Sequence, residues 1–273
     1  MSGQATALDH AGIVGPDLAS LAAAWTRLGF QVTPLARHEG GRTGNHCIML
    51  DGSYLELVAT LPGGTSATLA RFLARHAGIH ILALRIDDED AALARLARAG
   101  FAGLSASHTD RALDDSDPTS PRVGFILVTP PDPPNPPEGR VHLIRHLTPG
   151  TMWQPRFLVH PNQVTTLAAV TLVVEQPAVT AAWLSRVAGR PVVVDGDGLA
   201  LDLGAQRLRI LPPAGTGPHP ALPWISGLTL RTSDANQALG TILSERAIPH
   251  RQDGPAIIIR QDDVMLRFEP GAP

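Results

Sequence analysis

The chain has 273 residues, a formal net charge of −3, 44% hydrophobic residues and 17% charged residues. That is enough for two compact domains with a sizeable core, and no stretch gathers the basic residues that a polyanion partner would need. All 22 basic residues are arginine and Cys47 is the single cysteine, which excludes a Schiff-base or P-loop lysine, an internal disulfide and a multi-cysteine zinc site. There is no basic-then-apolar leader and no apolar run near the ~20 residues of a membrane span. The expectation is a cytoplasmic protein without membrane or nucleic-acid partners.

The elements follow in chain order. Residues 8–14 predict a strand, and Asp17 stands where an N-cap would open a helix over Leu18 to Leu28 that Gly29 ends. Strands are expected over 30–35, 45–50 and 53–58, the last two joined by the hairpin pair Asp51-Gly52. This β-α-β-β-β phrase returns with a strand at 78–85, a helix from Glu89 to Ala99 stopping at Gly100, and strands at 123–128 and 140–146. Residues 105–120 read as a polar loop, and Pro130 to Pro137 as a stiff surface connection. A linker over 149–162 carries Trp153 and Phe157, which can pin it to a domain surface.

A third unit is predicted with strand 167–174, helix 178–188 ending at Gly189, and strands 191–194, 199–203 and 207–211. The fourth has strand 225–230, helix 234–246, and strands 256–260 and 264–268. Such a unit cannot bury its sheet face alone. The expected fold class is therefore α+β: four tandem βαβββ modules forming two domains, each a curved mixed sheet with helices outside. The N-terminal domain spans 1–148, the linker 149–165, and a degenerate C-terminal domain 166–273.

Aligning the units by their helix-ending glycines places His10, His80, Ala169 and Gly227 together on the opening strands, within a residue. Aligning the closing strands places Glu56, Arg145, Arg209 and Arg267 together. Alternate residues of a strand share a face, so His10, Glu56, His80 and Arg145 are expected to look into one cavity. Two imidazoles and a carboxylate (His10, His80, Glu56) suit zinc, nickel, manganese or iron. The competing reading is a core histidine at His10 and a Glu56–Arg145 ion pair. His142 or His146 is a substitute ligand, according to strand register. His38, Asn45 and His46 line the cavity mouth as substrate contacts, or are ordinary loop polarity. Cys47 reads as a packing residue, and His160-Pro161-Asn162 as structural.

The chain resembles the vicinal-oxygen-chelate superfamily of glyoxalases, bleomycin-resistance proteins and extradiol dioxygenases. The resemblance rests on Leu8-Asp9-His10 leading to Asp17-Leu18, on Leu28-Gly29-Phe30, on Arg37-His38 with Thr43-Gly44-Asn45, on Tyr54-Leu55-Glu56-Leu57, and on His146, Pro149, Trp153 and His160-Pro161-Asn162. It is closest to the glyoxalase-like domain proteins, over residues 7 to about 175. The resemblance implies a divalent-metal-dependent lyase or isomerase that stabilises an enolate or oxyanion of a small oxygenated substrate. In that reading Glu56 or His146 moves protons, Arg145 grips a substrate carboxylate, and no nucleotide cofactor is needed. The alternative it implies is a metal-free protein that sequesters a small molecule. Arg145 departs from the pattern, since metal-dependent members carry a carboxylate there. Extradiol dioxygenases place two histidines and a glutamate in the C-terminal half, where this chain lacks them, so that activity is disfavoured. The C-terminal domain is left as a partner or homodimer surface.

Overall fold

A computed structural model describes residues 2–131, 139–213 and 224–271. Most of the proline-rich connection at 130–137 lies outside the described residues. The N-terminal half runs β1 (Ala7–Val14), α1 (Leu18–Arg27), β2 (Ala36–Arg37), β3 (Thr43–Leu50), β4 (Ser53–Thr60) and α2 (Ala67–Leu73). It continues with β5 (Gly78–Arg85), α3 (Glu89–Arg98), β6 (Ala106–Ala112), β7 (Arg122–Val128) and β8 (Arg140–His146).

Both long helices of this half start on an aspartate that caps them. Asp17 accepts from the Ser20 amide at 2.7 Å, and Asp88 from the Ala91 amide at 2.9 Å. Both end on a glycine with positive φ, 85° at Gly29 and 86° at Gly100, a turn that disfavours any residue with a Cβ. The strand order is β2-β3-β4-β1-β5-β8-β7-β6, with β1 parallel to β4, β5 parallel to β8, and β1 antiparallel to β5. The sheet curls around its own concave face. Its two edges meet where the Asp115 amide donates to the Leu35 carbonyl at 2.8 Å and Arg37 Nε donates to Asp115 at 2.5 Å.

A short helix, α4 (Pro149–Met152), and a 3-10 turn at Pro155–Phe157 lead into the second half. There β9 (Val164–Val173), α5 (Pro177–Ala188), β10 (Val192–Asp195), β11 (Gly198–Asp202) and β12 (Arg207–Leu211) form the third unit. The fourth is β13 (Trp224–Thr232), α6 (Gln237–Glu245), β14 (Arg251–Asp253), β15 (Ala256–Gln261) and β16 (Val264–Pro270). The strand order β10-β11-β12-β9-β13-β16-β15-β14 repeats the first half, and β13 meets β5 at Ile225 and Ile79. The convex faces of both halves share one apolar core, in which Trp25 and Phe30 of the first half lie with Leu184 and Phe268 of the second. The α+β architecture of repeated βαβββ units is the one expected. No helix among the described residues is long and apolar enough to cross a membrane.

Local differences have physical causes. Residues 30–35 run extended without a ladder partner, and pairing begins only at β2. The polar stretch 105–120 contains β6, an edge strand on which Arg111 is the one buried residue, so polar residues on both faces hide its alternation. Helix α2 was not foreseen; Ser66 opens it by accepting from the Leu69 amide at 3.3 Å. The linker is pinned as expected, with Phe157 buried and Trp153 Nε1 donating to the Leu50 carbonyl at 3.0 Å. His160 and Asn162 are structural. His160 Nδ1 accepts from the Gln31 amide at 3.0 Å while its Nε2–H donates to the Met49 carbonyl at 2.8 Å. The buried Asn162 donates to the Leu28 carbonyl at 2.9 Å.

Candidate functional site

Two β-bulges at the central β1–β5 pair decide which side chains enter the concave face. The register runs Leu8–Leu84 and then His10–Ala83, leaving Asp9 as the extra residue. It runs Gly12–Ile81 and then Ile13–Ile79, leaving His80 as the second extra residue. A bulge re-aims side chains that strict alternation would send to the other face. Asp9 and His10 consequently touch each other inside the sheet, His10 Nδ1 to Asp9 Oδ1 at 2.9 Å. On the parallel pairs, Gly12 lies opposite Glu56 and Ala83 opposite His142. His142 therefore holds in the second unit the place that Glu56 holds in the first.

A cavity of about 380 Å³ opens here, with His10, Glu56, His38, His142 and Arg111 among its polar groups and Tyr54, Phe72 and Phe125 among its apolar walls. Glu56 Oε1 accepts from the Asn45 side-chain amide and from His38 Nε2 at 3.3 Å, and Oε2 lies 3.9 Å from His10 Nε2. The Thr43 hydroxyl lies 2.8 Å from His38 Nδ1. With Glu56 ionised and only able to accept, His38 carries its proton on Nε2 and takes the Thr43 hydroxyl proton at Nδ1. Burial pushes the Glu56 carboxyl up, but the hydrogen bonds and charges of His38, His10 and Asn45 hold it well below the usual carboxylate range.

Asp9 is fully buried behind this group. It accepts from His10 Nδ1 at 2.9 Å, His146 Nε2 at 3.0 Å and Arg85 Nε at 2.8 Å. Burial opposes its ionisation, yet the bonds and charges of the two histidines leave its carboxyl far below the ordinary range. Because Nδ1 is bonded to Asp9, Nε2 is the His10 ring nitrogen left facing Glu56, 3.9 Å from its Oε2. His10 also stacks on Tyr54, ring centroids 4.5 Å apart. Burial, with the charges of Arg140 and His10, pushes His142 down to about 3, so it is a neutral imidazole at pH 7.

Several expected positions are corrected. His80 does not line the cavity; its ring stacks on Phe72 at 4.8 Å, and Nε2 donates to the His76 carbonyl at 2.9 Å. The second bulge is the cause, since it breaks the one-to-one match of the opening strands. Arg145 is directed away from Glu56 and pairs with Glu89 of α3 at 2.6 Å, because it sits at odd spacing from His142 on β8. His146 points inward but lies at the rear, bonded to Asp9 and stacked edge-on against Trp153 at 4.7 Å. His46 is on the outer face, its Nδ1 donating to the Thr33 carbonyl at 2.7 Å. His10, Glu56, His38 and Asn45 do converge. Sequence reasoning missed Asp9 and Arg85. The placement of Asp9 directly beside His10 in Leu8-Asp9-His10 was the local signal for the first, and nothing local marked Arg85.

The site predicts how stability varies with pH. His142 and His160 have folded pKa values below their ordinary 6.5, so the unfolded chain binds more protons below that pH. Stability from these groups is present above about pH 6.5 and declines as pH falls toward 3. Asp9 and Glu56, lowered from 3.8 and 4.5, add a second decline below those values. Urea midpoints measured from pH 8 to pH 3 are expected to fall in both windows, and a flat profile between 6.5 and 5 contradicts the neutral state of His142.

The fold and the inward-facing site define a member of a family of curved βαβββ-repeat proteins. The glyoxalase-like domain family matches residues 8–188, more than half of the chain, and the chain belongs to that family. No curated protein matches it. A hypothetical protein from Staphylococcus aureus is similar in structure, with TM-score 0.70 and 13% identity over 96% of this chain and 98% of that one. A mutant 4-hydroxymandelate synthase from Streptomyces coelicolor has TM-score 0.63 and 14% identity, covering 98% and 93% of the two chains. The 2,3-dioxygenase LapB from Pseudomonas sp. KL28 has TM-score 0.63 and 13% identity, covering 100% and 94%. At such identities these likenesses establish the vicinal-oxygen-chelate fold.

Proposed function

We propose that the N-terminal cavity is the site of a divalent-metal-dependent lyase or isomerase acting on a small oxygenated substrate. His10, Glu56 and His142 would hold the metal, with His142 in the role first expected of His80. The observation that carries this reading is the His10 ring, anchored through Nδ1 to Asp9, with its Nε2 facing Glu56 Oε2 at 3.9 Å in a cavity that also contains a neutral His142. Two imidazoles and one carboxylate suit zinc, nickel, manganese or iron, and a carboxylate behind a ligating histidine is the arrangement that sets ligand tautomer in such sites. Among the described residues no three His, Cys, Asp or Glu side chains gather closely enough to hold an ion, so ligation would draw these donors inward. Bound there, a metal would polarise a substrate oxygen and stabilise an enolate or oxyanion.

The chain's own groups divide the remaining work. Glu56 is held too acidic to be an efficient base near neutral pH, so its role is that of ligand and hydrogen-bond acceptor. His38 lines the cavity with Nε2–H bonded to Glu56 and Nδ1 bonded to Thr43, and is the group able to move a proton to or from a substrate. His146, behind Asp9, positions and does not touch substrate.

The second reading is metal-free sequestration of a small molecule in the same cavity. It is favoured by the fact that Asn45 and His38 already satisfy one Glu56 oxygen. Metal analysis of the purified protein beside a His10→Ala, Glu56→Ala double variant tests the choice. Near-stoichiometric metal, lost in the double variant, supports the lyase or isomerase. Absence of metal after loading with zinc, nickel, manganese and iron overturns it in favour of sequestration.

A further inference from the structure

Arg111 is a buried cation whose partners leave its charge unanswered. It is 7% exposed and is one of the residues that line the cavity. Nη1 donates to the Ala112 carbonyl at 3.2 Å, Nη2 lies 3.7 Å from Cys47 Sγ, and the guanidinium carbon sits 5.8 Å from the centre of the Phe125 ring. None of these partners is a carboxylate. Burial pushes the Cys47 thiol up to about 12, so the sulfur is neutral and supplies no counter-charge. The acidic residues around the cavity are otherwise placed. Glu56 is bonded to His38 and Asn45, Asp110 is paired with Arg122, and Glu39 is exposed at the rim.

A guanidinium taken out of water without a carboxylate is costly to the free protein, and a site tolerates it when a bound anion completes it. Cys47 lies directly opposite Glu56 in the β3–β4 ladder, so the guanidinium stands over the same part of the sheet as the Glu56 carboxylate. Neighbouring walls are apolar and aromatic: Tyr54, Phe72, Phe125 and Leu69.

We propose that Arg111 is the seat for a carboxylate group of the ligand, which makes the ligand class an organic monocarboxylate whose body packs on the aromatic walls. This deepens the reading above and rests on the same cavity, though not on the metal. It also moves the anion grip from Arg145, which is neutralised by Glu89 outside the cavity, to Arg111.

Benzoate is a suitable probe, with benzamide as its uncharged isostere and inorganic phosphate as the competing anion. Calorimetric titration of the EDTA-treated protein keeps the test independent of metal, so failure of the metal reading and failure of this one are distinguishable. Benzoate is expected to bind at least about 10-fold more tightly than benzamide, from the charge-assisted fork. Arg111→Met is expected to erase that preference while leaving the melting temperature of the ligand-free protein unchanged or raised, since a buried unpaired charge is removed. Arg111→Lys, which keeps the charge without the planar fork, is expected to retain part of it. Equal affinity for benzoate and benzamide in the unmodified protein overturns the proposal without recourse to any variant. Retention of the preference in Arg111→Met, or tighter binding of inorganic phosphate than of benzoate, also overturns it.

Discussion

Asp9→Ala is expected to lower stability by about 3 kcal/mol, the low end of the range for breaking a buried ion pair. The carboxylate is fully buried, accepts from His10 at 2.9 Å, from His146 at 3.0 Å and from Arg85 Nε at 2.8 Å, and has Arg85 Nη2 2.7 Å away in the ion pair. Alanine removes the acceptor and leaves the donors in place. The low end applies because the Arg85 side chain keeps 25% of its surface in water and stacks on Trp153, with 4.8 Å between the guanidinium carbon and the ring centre. At roughly 2–4 °C per kcal/mol for a protein of this size, the melting temperature should fall by about 6–12 °C. Asp9→Asn tests whether shape or charge matters. An amide nitrogen would face donors, so that variant is expected to recover little. Calorimetry that finds Asp9→Ala within 1 °C or so of the parent rejects Asp9 as the anchor of the site.

Glu56→Gln is expected to weaken zinc or manganese binding by at least about 100-fold, because loss of an outer-shell partner alone costs 10–100-fold and a ligand costs no less. Fold should survive the change. The glutamine carbonyl can still accept from Asn45 and His38, and only the negative charge is lost. His142→Ala should weaken metal binding comparably, whereas His80→Ala should leave it unchanged, since His80 is committed to Phe72 and the His76 carbonyl. Metal titration of the three variants at one pH separates the two ligand sets. Loss of metal on His80→Ala with retention on His142→Ala restores the set expected from sequence alignment alone.

The reach of the sequence can be judged from these same residues. His10 and Glu56 are legible because each stands in an apolar strand whose neighbours demand a buried face, and a charged or polar residue there calls for a partner. His38 and Asn45 are legible as candidates, and they prove to be bound to Glu56. His80 misleads because the alignment of opening strands assumes an unbroken ladder, and a bulge inserts it as an extra residue. Arg145 misleads because a one-residue difference in strand register reverses the face, and His146 because, although it shares the face of His142, it lies behind Asp9, a depth that periodicity does not supply.

The amino-acid sequence by itself determined the repeat. Helices start at Asp17 and Asp88 and stop at Gly29 and Gly100 because capping and left-handed turns are local chemistry, readable one residue at a time. The apolar strands between them followed from alternation, and four such units left no plausible alternative to curved sheets with helices outside. Only the tertiary structure decided which side chains meet. Asp9 enters the interior through a bulge, His142 faces Glu56 through the parallel pairing of β5 with β8, and Arg111 arrives from an edge strand that is polar on both faces. These are relations between strands far apart in the chain, set by packing and register, and no local residue pattern encodes them.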